Sequence, residues 1–225
     1  MTTAFPGAID AFTNPTATDA LDSATVPHAS QHANINDAVE AVETYLLAQN
    51  FGFTSGLYYR GINGLSNNAT PILNQTVFLP FAINKTQTFD RIAIQTGTSY
   101  VGTGAVRLGI YNNDSATGKP STVVLDAGTV ATTAATTIYE ITISQSLSAG
   151  AYWIAFNMQT APATPRFQGG STAGDNAMGY FVSTTGIVST GNAGAWTEAS
   201  ISGAFATAGT LVSATSGGTC VLRAS

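Results

Sequence analysis

His28 and His32 stand four residues apart, the spacing at which two imidazoles share one helical face and can ligate a single metal. No Cys, Glu or third His lies nearby to complete a shell, and a polar cap at a helix entrance accounts for the same pair, so no metal and no cofactor are expected. A Ser-His-Asp set needs a histidine that reaches the rest of the chain, and none occurs beyond residue 32. Asp90, Asp114, Asp126, Glu140, Asp175 and Glu198 are numerous enough for hydrolysis of a glycoside by two carboxylates. They are scattered over turns and outward strand positions, outside any aromatic-rich motif, and read as surface charges. Asp114, within Asn112-Asn113-Asp114-Ser115, lacks the repeated acids of a calcium loop and reads as a turn. Gly102-Thr103-Gly104 leads to Arg107 rather than to the last glycine of a phosphate loop. No catalytic residue is assigned, and the chain is read as non-enzymatic.

Binding is the chemistry the residue types favour. A sugar site needs one or two aromatic faces with Asn, Gln, Asp and Arg groups around them and little net charge. Trp196, Tyr180, Arg166, Asp175 and Asn176 fall in the loop-rich stretch 162–204, where glycine is dense and periodicity weakest. Loops on a rigid scaffold are where binding residues tend to sit. Each aromatic has a competing role in core or subunit packing.

Charge sets further bounds. Only 8% of the 225 residues are charged, against about 25% in ordinary domains, and Thr, Ser, Asn, Gln and Gly must cover the surface instead. The net charge of −5 and the lack of any Lys/Arg cluster argue against nucleic acid as a partner. No apolar run approaches the roughly 18 residues of a membrane span. The opening Met-Thr-Thr-Ala-Phe-Pro-Gly has no basic and apolar export signal, so release by lysis or a leaderless route is expected. The lone Cys220 forms no internal disulfide. Residues 1–59 hold Asp10, Asp19, Asp22, Asp37, Glu40 and Glu43 and no base, a charge of −6, whereas the remainder sets seven bases against six acids. An acidic leader therefore joins a nearly neutral body.

The leader has two parts. Residues 1–27 contain Pro6, Pro15 and Pro27 and no hydrophobic period, which reads as an extended arm. Its apolar anchors Phe5, Ile9, Phe12 and Leu21 either dock on another chain or pack back on their own. From His28 to Gln49 the chain is expected to be helical: Ile35, Val39, Val42 and Leu46 are spaced 4, 3, 4, on one face, with Glu40 and Glu43 off it. A helix this short is marginal alone, and its seam suits either a small self-associating bundle or docking on the body.

Beyond Gly52 the rhythm becomes that of strands: 56–62, 71–81, 88–95, 105–112, 122–130, 136–144, 151–159, 178–184 and 218–223, with weaker candidates near Trp196 and Ile201. Val106, Leu108 and Ile110 share one face of their strand. Tyr152, Ile154, Phe156 and Met158 oppose Trp153, Ala155 and Asn157. Short strands, polar turns and no intervening helices predict a mainly β fold, an antiparallel β-sandwich of jelly-roll type over 53–225, preceded by the arm and helix of 1–52.

Phe5-Pro6-Gly7, Asp10-Ala11-Phe12-Thr13-Asn14-Pro15, Pro27-His28-Ala29-Ser30-Gln31-His32 and the helix from Asn36 to Glu43 resemble the N-terminal attachment segment of fibre and minor tail proteins of tailed bacteriophages. Leu108-Gly109-Ile110-Tyr111, Gly118-Lys119-Pro120, Leu147-Ser148-Ala149-Gly150-Ala151-Tyr152-Trp153 and Val221-Leu222-Arg223-Ala224 are similar to β-sandwich modules carried on such fibres. The resemblance implies a virion protein, commonly a homotrimer, attached by its N-terminal part to other virion proteins of tail, baseplate or capsid, with its C-terminal domain outward. It transfers no ligand residue. The expected role is a structural and adhesive fibre contacting a host envelope glycan. A capsid decoration or head-fibre protein with a purely structural role, and a small polysaccharide depolymerase, are the alternatives.

Overall fold

The computed structural model describes residues 35–44, 53–60, 66–170, 195–214, 217–218 and 220–225. The arm anchors Phe5, Ile9, Phe12 and Leu21, together with His28, His32, Leu46 and the expected strand 178–184, lie outside them. The chain divides into two compact units, Met1–Phe51 and Gly52–Ser225.

In the first unit residues 35–44 form the helix α1. Its seam faces solvent: Ile35, Val39 and Val42 are 61%, 40% and 57% exposed, while Glu43 is buried. Among the described helix residues, the off-face acid Glu43 is thus covered while Ile35, Val39 and Val42 are exposed.

The second unit is built of antiparallel strands. Those described are β1 (Tyr58–Tyr59), β2 (Ser66–Ala69), β3 (Thr76–Ile83), β4 (Gln87–Gln95), β5 (Gly104–Asp114), β6 (Lys119–Thr132), β7 (Ile138–Leu147), β8 (Gly150–Thr160), β9 (Phe167–Gly170), β10 (Trp196–Glu198), β11 (Val212–Ser213), β12 (Gly217–Gly218) and β13 (Cys220–Ala224). Sheet A has the order β1-β13-β4-β7; a six-stranded sheet C runs β11-β10-β3-β8-β5-β6; a small sheet B is β12-β9-β2. Apart from the β5–β6 hairpin, the chain changes sheet at each step from β3 to β8. This is the β-sandwich the alternating pattern predicts.

The core lies between sheets A and C. Phe89, Ile92, Ile94, Cys220 and Leu222 form its sheet A side, and Val77, Leu79, Phe81, Val106, Leu108, Ile110, Ile154 and Phe156 its sheet C side. Period-2 spacing puts each set on one face, and burial of each large side chain contributes about 1.5–3 kcal/mol. Burial pushes the Cys220 thiol far above its ordinary range, so it packs as an unreactive apolar group.

Sheet C is covered on its outer face as well. Phe78, Tyr111, Trp153 and Ala155 form a second cluster, closed by Phe205, Ala208 and Leu211. Those three belong to residues 199–211, which cross the sheet as an irregular strap. The Ile201 candidate strand is in fact part of this strap: its N–H donates to Asn74 O (2.8 Å) and its carbonyl accepts from buried Asn157 Nδ2 (3.1 Å). Ala208 N–H donates to Ser121 O (2.8 Å), and the Tyr111 hydroxyl to Ala206 O (3.0 Å). Central strand β8 is therefore buried on both faces from Trp153 to Met158.

The strap packs against bare backbone at Gly109. A Cβ there would lie 2.6 Å from Leu125 O and 2.7 Å from the Phe205 ring. Gly109→Ala is expected to cost about 2 kcal/mol, the usual scale of overpacking, read as a lower urea midpoint at unchanged slope. A cost under about 0.5 kcal/mol would mean that the strap does not rest on this strand.

Candidate functional site

The outer face of sheet A gathers Asp90, Arg91, Glu140 and Arg223 into one charged network. Successive residues of a strand point to opposite faces, so Ile92 and Ile94 of β4 face the core and Arg91, Ala93 and Gln95 face out. Asp90 should then point inward. The β13–β4 register slips at this point, with Arg223 opposite Arg91 and Ala224 opposite Phe89, leaving Asp90 as the extra residue. Such a bulge re-aims a side chain, and Asp90 joins Arg91 outside.

There Arg223 clasps Asp90 with both arms of its guanidinium, Nε to Oδ1 at 2.9 Å and Nη2 to Oδ2 at 2.7 Å. Arg91 stands between two carboxylates, 3.7 Å from Asp90 and 3.6 Å from Glu140. The Tyr58 hydroxyl of β1 reaches across β13 and β4 to donate to Glu140 Oε1 of β7, and the Arg223 guanidinium stands 5.8 Å from the centre of the Tyr58 ring. The hydrogen bonds from Arg223 hold the Asp90 carboxyl below its ordinary range, and Asp90 in turn raises Arg223. Exposed ion pairs contribute little stability. What they do here is lock Tyr58, Arg91 and Glu140 in one arrangement.

Beside this network lies a groove of about 150 Å³ lined by Tyr58, Arg60, Ile94, Gln95, Ile138, Gln168 and Val221. Tyr59 packs inward, so Tyr58 and Arg60 on either side of it point outward. Gln168 arrives from β9, whose Phe167 bridges to Thr96 just past β4. Ile138 remains 48% exposed on the groove wall. The groove is smaller than the roughly 300–1,000 Å³ pockets that engulf small molecules, and suits one ring of a chain passing over the face.

No known protein family, curated protein or solved structure matches this chain. The residues themselves therefore carry the functional argument.

Of the five residues expected to bind a ligand, Tyr180, Asp175 and Asn176 lie outside the described residues. The other two are not brought together. Trp196, in β10 of sheet C, packs partly buried against the second cluster and has Lys119 Nζ 4.5 Å over its ring. Arg166, just before β9, donates to Thr70 Oγ1 and to the carbonyl of Pro165. The groove residues were missed because they come from five separate places, and because the Asp90 bulge breaks the alternation that sorts faces.

The body's described acids each have a local partner. Asp114 closes a turn by accepting from Ala116 N–H and Thr117 Oγ1, both at 2.9 Å, as its sequence context predicts. Glu198 accepts from Gly209 N–H, and Asp126 pairs with Arg107. Among the described residues no group of three or more His, Cys, Asp or Glu could hold a metal ion.

Proposed function

We propose that this chain is a non-enzymatic structural and adhesive protein of a bacteriophage virion, a fibre or spike in which residues 1–52 attach and oligomerise while the sandwich binds a host envelope glycan on the outer face of sheet A. The groove carries this reading. An aromatic side chain and two exposed-to-intermediate aliphatics offer an apolar surface for the C–H face of a sugar ring. Gln95 and Gln168 each supply an amide donor and an acceptor for hydroxyls, and their side chains make no hydrogen bond among the described residues.

The pair Asp90 and Glu140 is the natural place to look for a depolymerase, and its electrostatics argue against one. Glycoside cleavage needs one carboxyl kept protonated to donate to the leaving oxygen. Asp90 is held ionised by Arg223, and Glu140 is committed to Tyr58 and Arg91.

For the leader, the bare seam Ile35, Val39, Val42 favours association with further copies, and the resemblance favours three. The test is to incubate the purified chain with host envelope polysaccharide, follow both retention and polymer length, and weigh the assembled species. Binding without shortening, by a trimer that loses its assembly when residues 1–50 are deleted, is expected. Shortened chains would establish the depolymerase instead. A protein that binds nothing would be a capsid decoration or head fibre, and a monomer would overturn the trimeric fibre.

A further inference from the structure

We infer that the sheet A groove reads an acidic saccharide, with Arg60 receiving the carboxylate of a uronic acid ring that lies on Tyr58, Ile138 and Val221. This rests on the groove being the glycan site and adds the class of sugar it takes.

The charge arrangement leads there. Arg91 and Arg223 are offset by Asp90 and Glu140 in the network beside the groove. Arg107 is paired with Asp126, and the cations Arg166 (bonded to Thr70), Lys119 (over the Trp196 ring) and Lys85 (between β3 and β4) do not line the groove. Arg60 is exposed on the groove rim and makes no hydrogen bond or ion pair among the described residues. The site therefore has one uncompensated positive charge, in a unit that is otherwise close to neutral. A guanidinium matches a carboxylate with two parallel N–H donors, which a neutral hydroxyl cannot use. Gln95 and Gln168 then suit the ring hydroxyls. Ile138, left 48% exposed, gains cover from the sugar's C–H face. An acidic peptide fits less well: extended peptides add to a free sheet edge, and this groove lies on a sheet face crossed by β13 and β4.

The test uses the full chain and matched pairs of probes: tetragalacturonate, tetraglucuronate and tetramannuronate, each against its carboxyl-reduced neutral counterpart, titrated by calorimetry at low and physiological salt. At least one uronate is expected to bind ten-fold or more tighter than its reduced partner, with the gap narrowing as salt rises. Arg60→Gln, which removes no hydrogen bond or ion pair among the described residues and should keep the melting temperature, is expected to erase the gap. Equal affinity within every pair would overturn the acidic preference while leaving the groove as a neutral glycan site. A preference that survives Arg60→Gln would overturn the role of Arg60. No binding by any probe, acidic or neutral, would remove this inference together with the glycan reading it rests on.

Discussion

Truncating Trp153 to Ala is expected to cost about 4 kcal/mol, within the range for a large aromatic removed from a closed interior. Trp153 is fully buried, yet it sits on the outer face of sheet C, where Phe205, Ala208 and Leu211 of the strap, together with Val123 and Trp196, close over its cluster. The loss is therefore double: the contacts of the indole, and the purchase that Phe205 and Leu211 have on the sheet. For a unit of this length the melting temperature should fall by roughly 10 °C. Trp153→Phe separates the contributions, since it keeps most of the apolar area and removes the Nε1 bond to Asn113 Oδ1 (2.9 Å). Its cost should be about 1 kcal/mol, the net worth of one hydrogen bond. Limited proteolysis gives a local readout: Trp153→Ala should open the strap to cleavage before the sandwich unfolds. A cost for the Ala variant below about 1 kcal/mol would mean that the strap does not cover this face.

Trp153 also marks where reading the chain by periodicity stops working. The pattern of β5 places Val106, Leu108 and Ile110 in the core, and they are there. In β8 the same logic separates Ile154, Phe156 and Met158 from Trp153, Ala155 and Asn157, and both sets are buried. The reason is the strap. Its apolar residues Ile201, Phe205 and Leu211 have neither helical nor strand spacing, so no local pattern announces that the segment folds back over a sheet. The groove was hidden for a related reason. Tyr58 opens a two-residue strand and Arg60 follows it, Gln168 belongs to a different sheet, and Asp90 faces outward only because of a bulge. A lone tryptophan in a glycine-rich stretch was the more visible signal, and Trp196 is instead packed beneath Lys119. Residue types raised the expectation of a sugar site; the strand register is what places aromatic, amide and cation side by side.

Asp126→Ala should come close to Trp153→Ala in cost, at about 3 kcal/mol, because this carboxylate pins the strap from its other side. Arg107 donates to it through Nε (2.8 Å to Oδ1) and Nη2 (2.7 Å to Oδ2), and the Phe205 N–H donates to Oδ2 at 3.0 Å. Both side chains of the pair are largely covered, 18% and 22% exposed. Removing one partner of a buried pair costs about 3–5 kcal/mol, and the lower end applies where some solvent remains. Burial pushes the Asp126 carboxyl up, but the hydrogen bonds from Arg107, Phe205 N–H and Gly128 N–H outweigh it and hold the group below its ordinary 3.8. A lowered folded-state value means that the unfolded chain binds the proton more readily. The stabilisation is therefore complete above about pH 4 and drains away as the pH falls through the folded-state value. Asp90 and Asp114 shift in the same direction, so the whole sandwich should lose stability below about pH 4. In urea titrations repeated from pH 7 to pH 2, Asp126→Ala should differ most from the parent at neutral pH, and the two should converge in acid. Parallel curves would show that Asp126 acts through its packing rather than its charge. Arg107→Ala with Asp126→Ala should cost less than the two single variants added together, since each alone strands the other's charge.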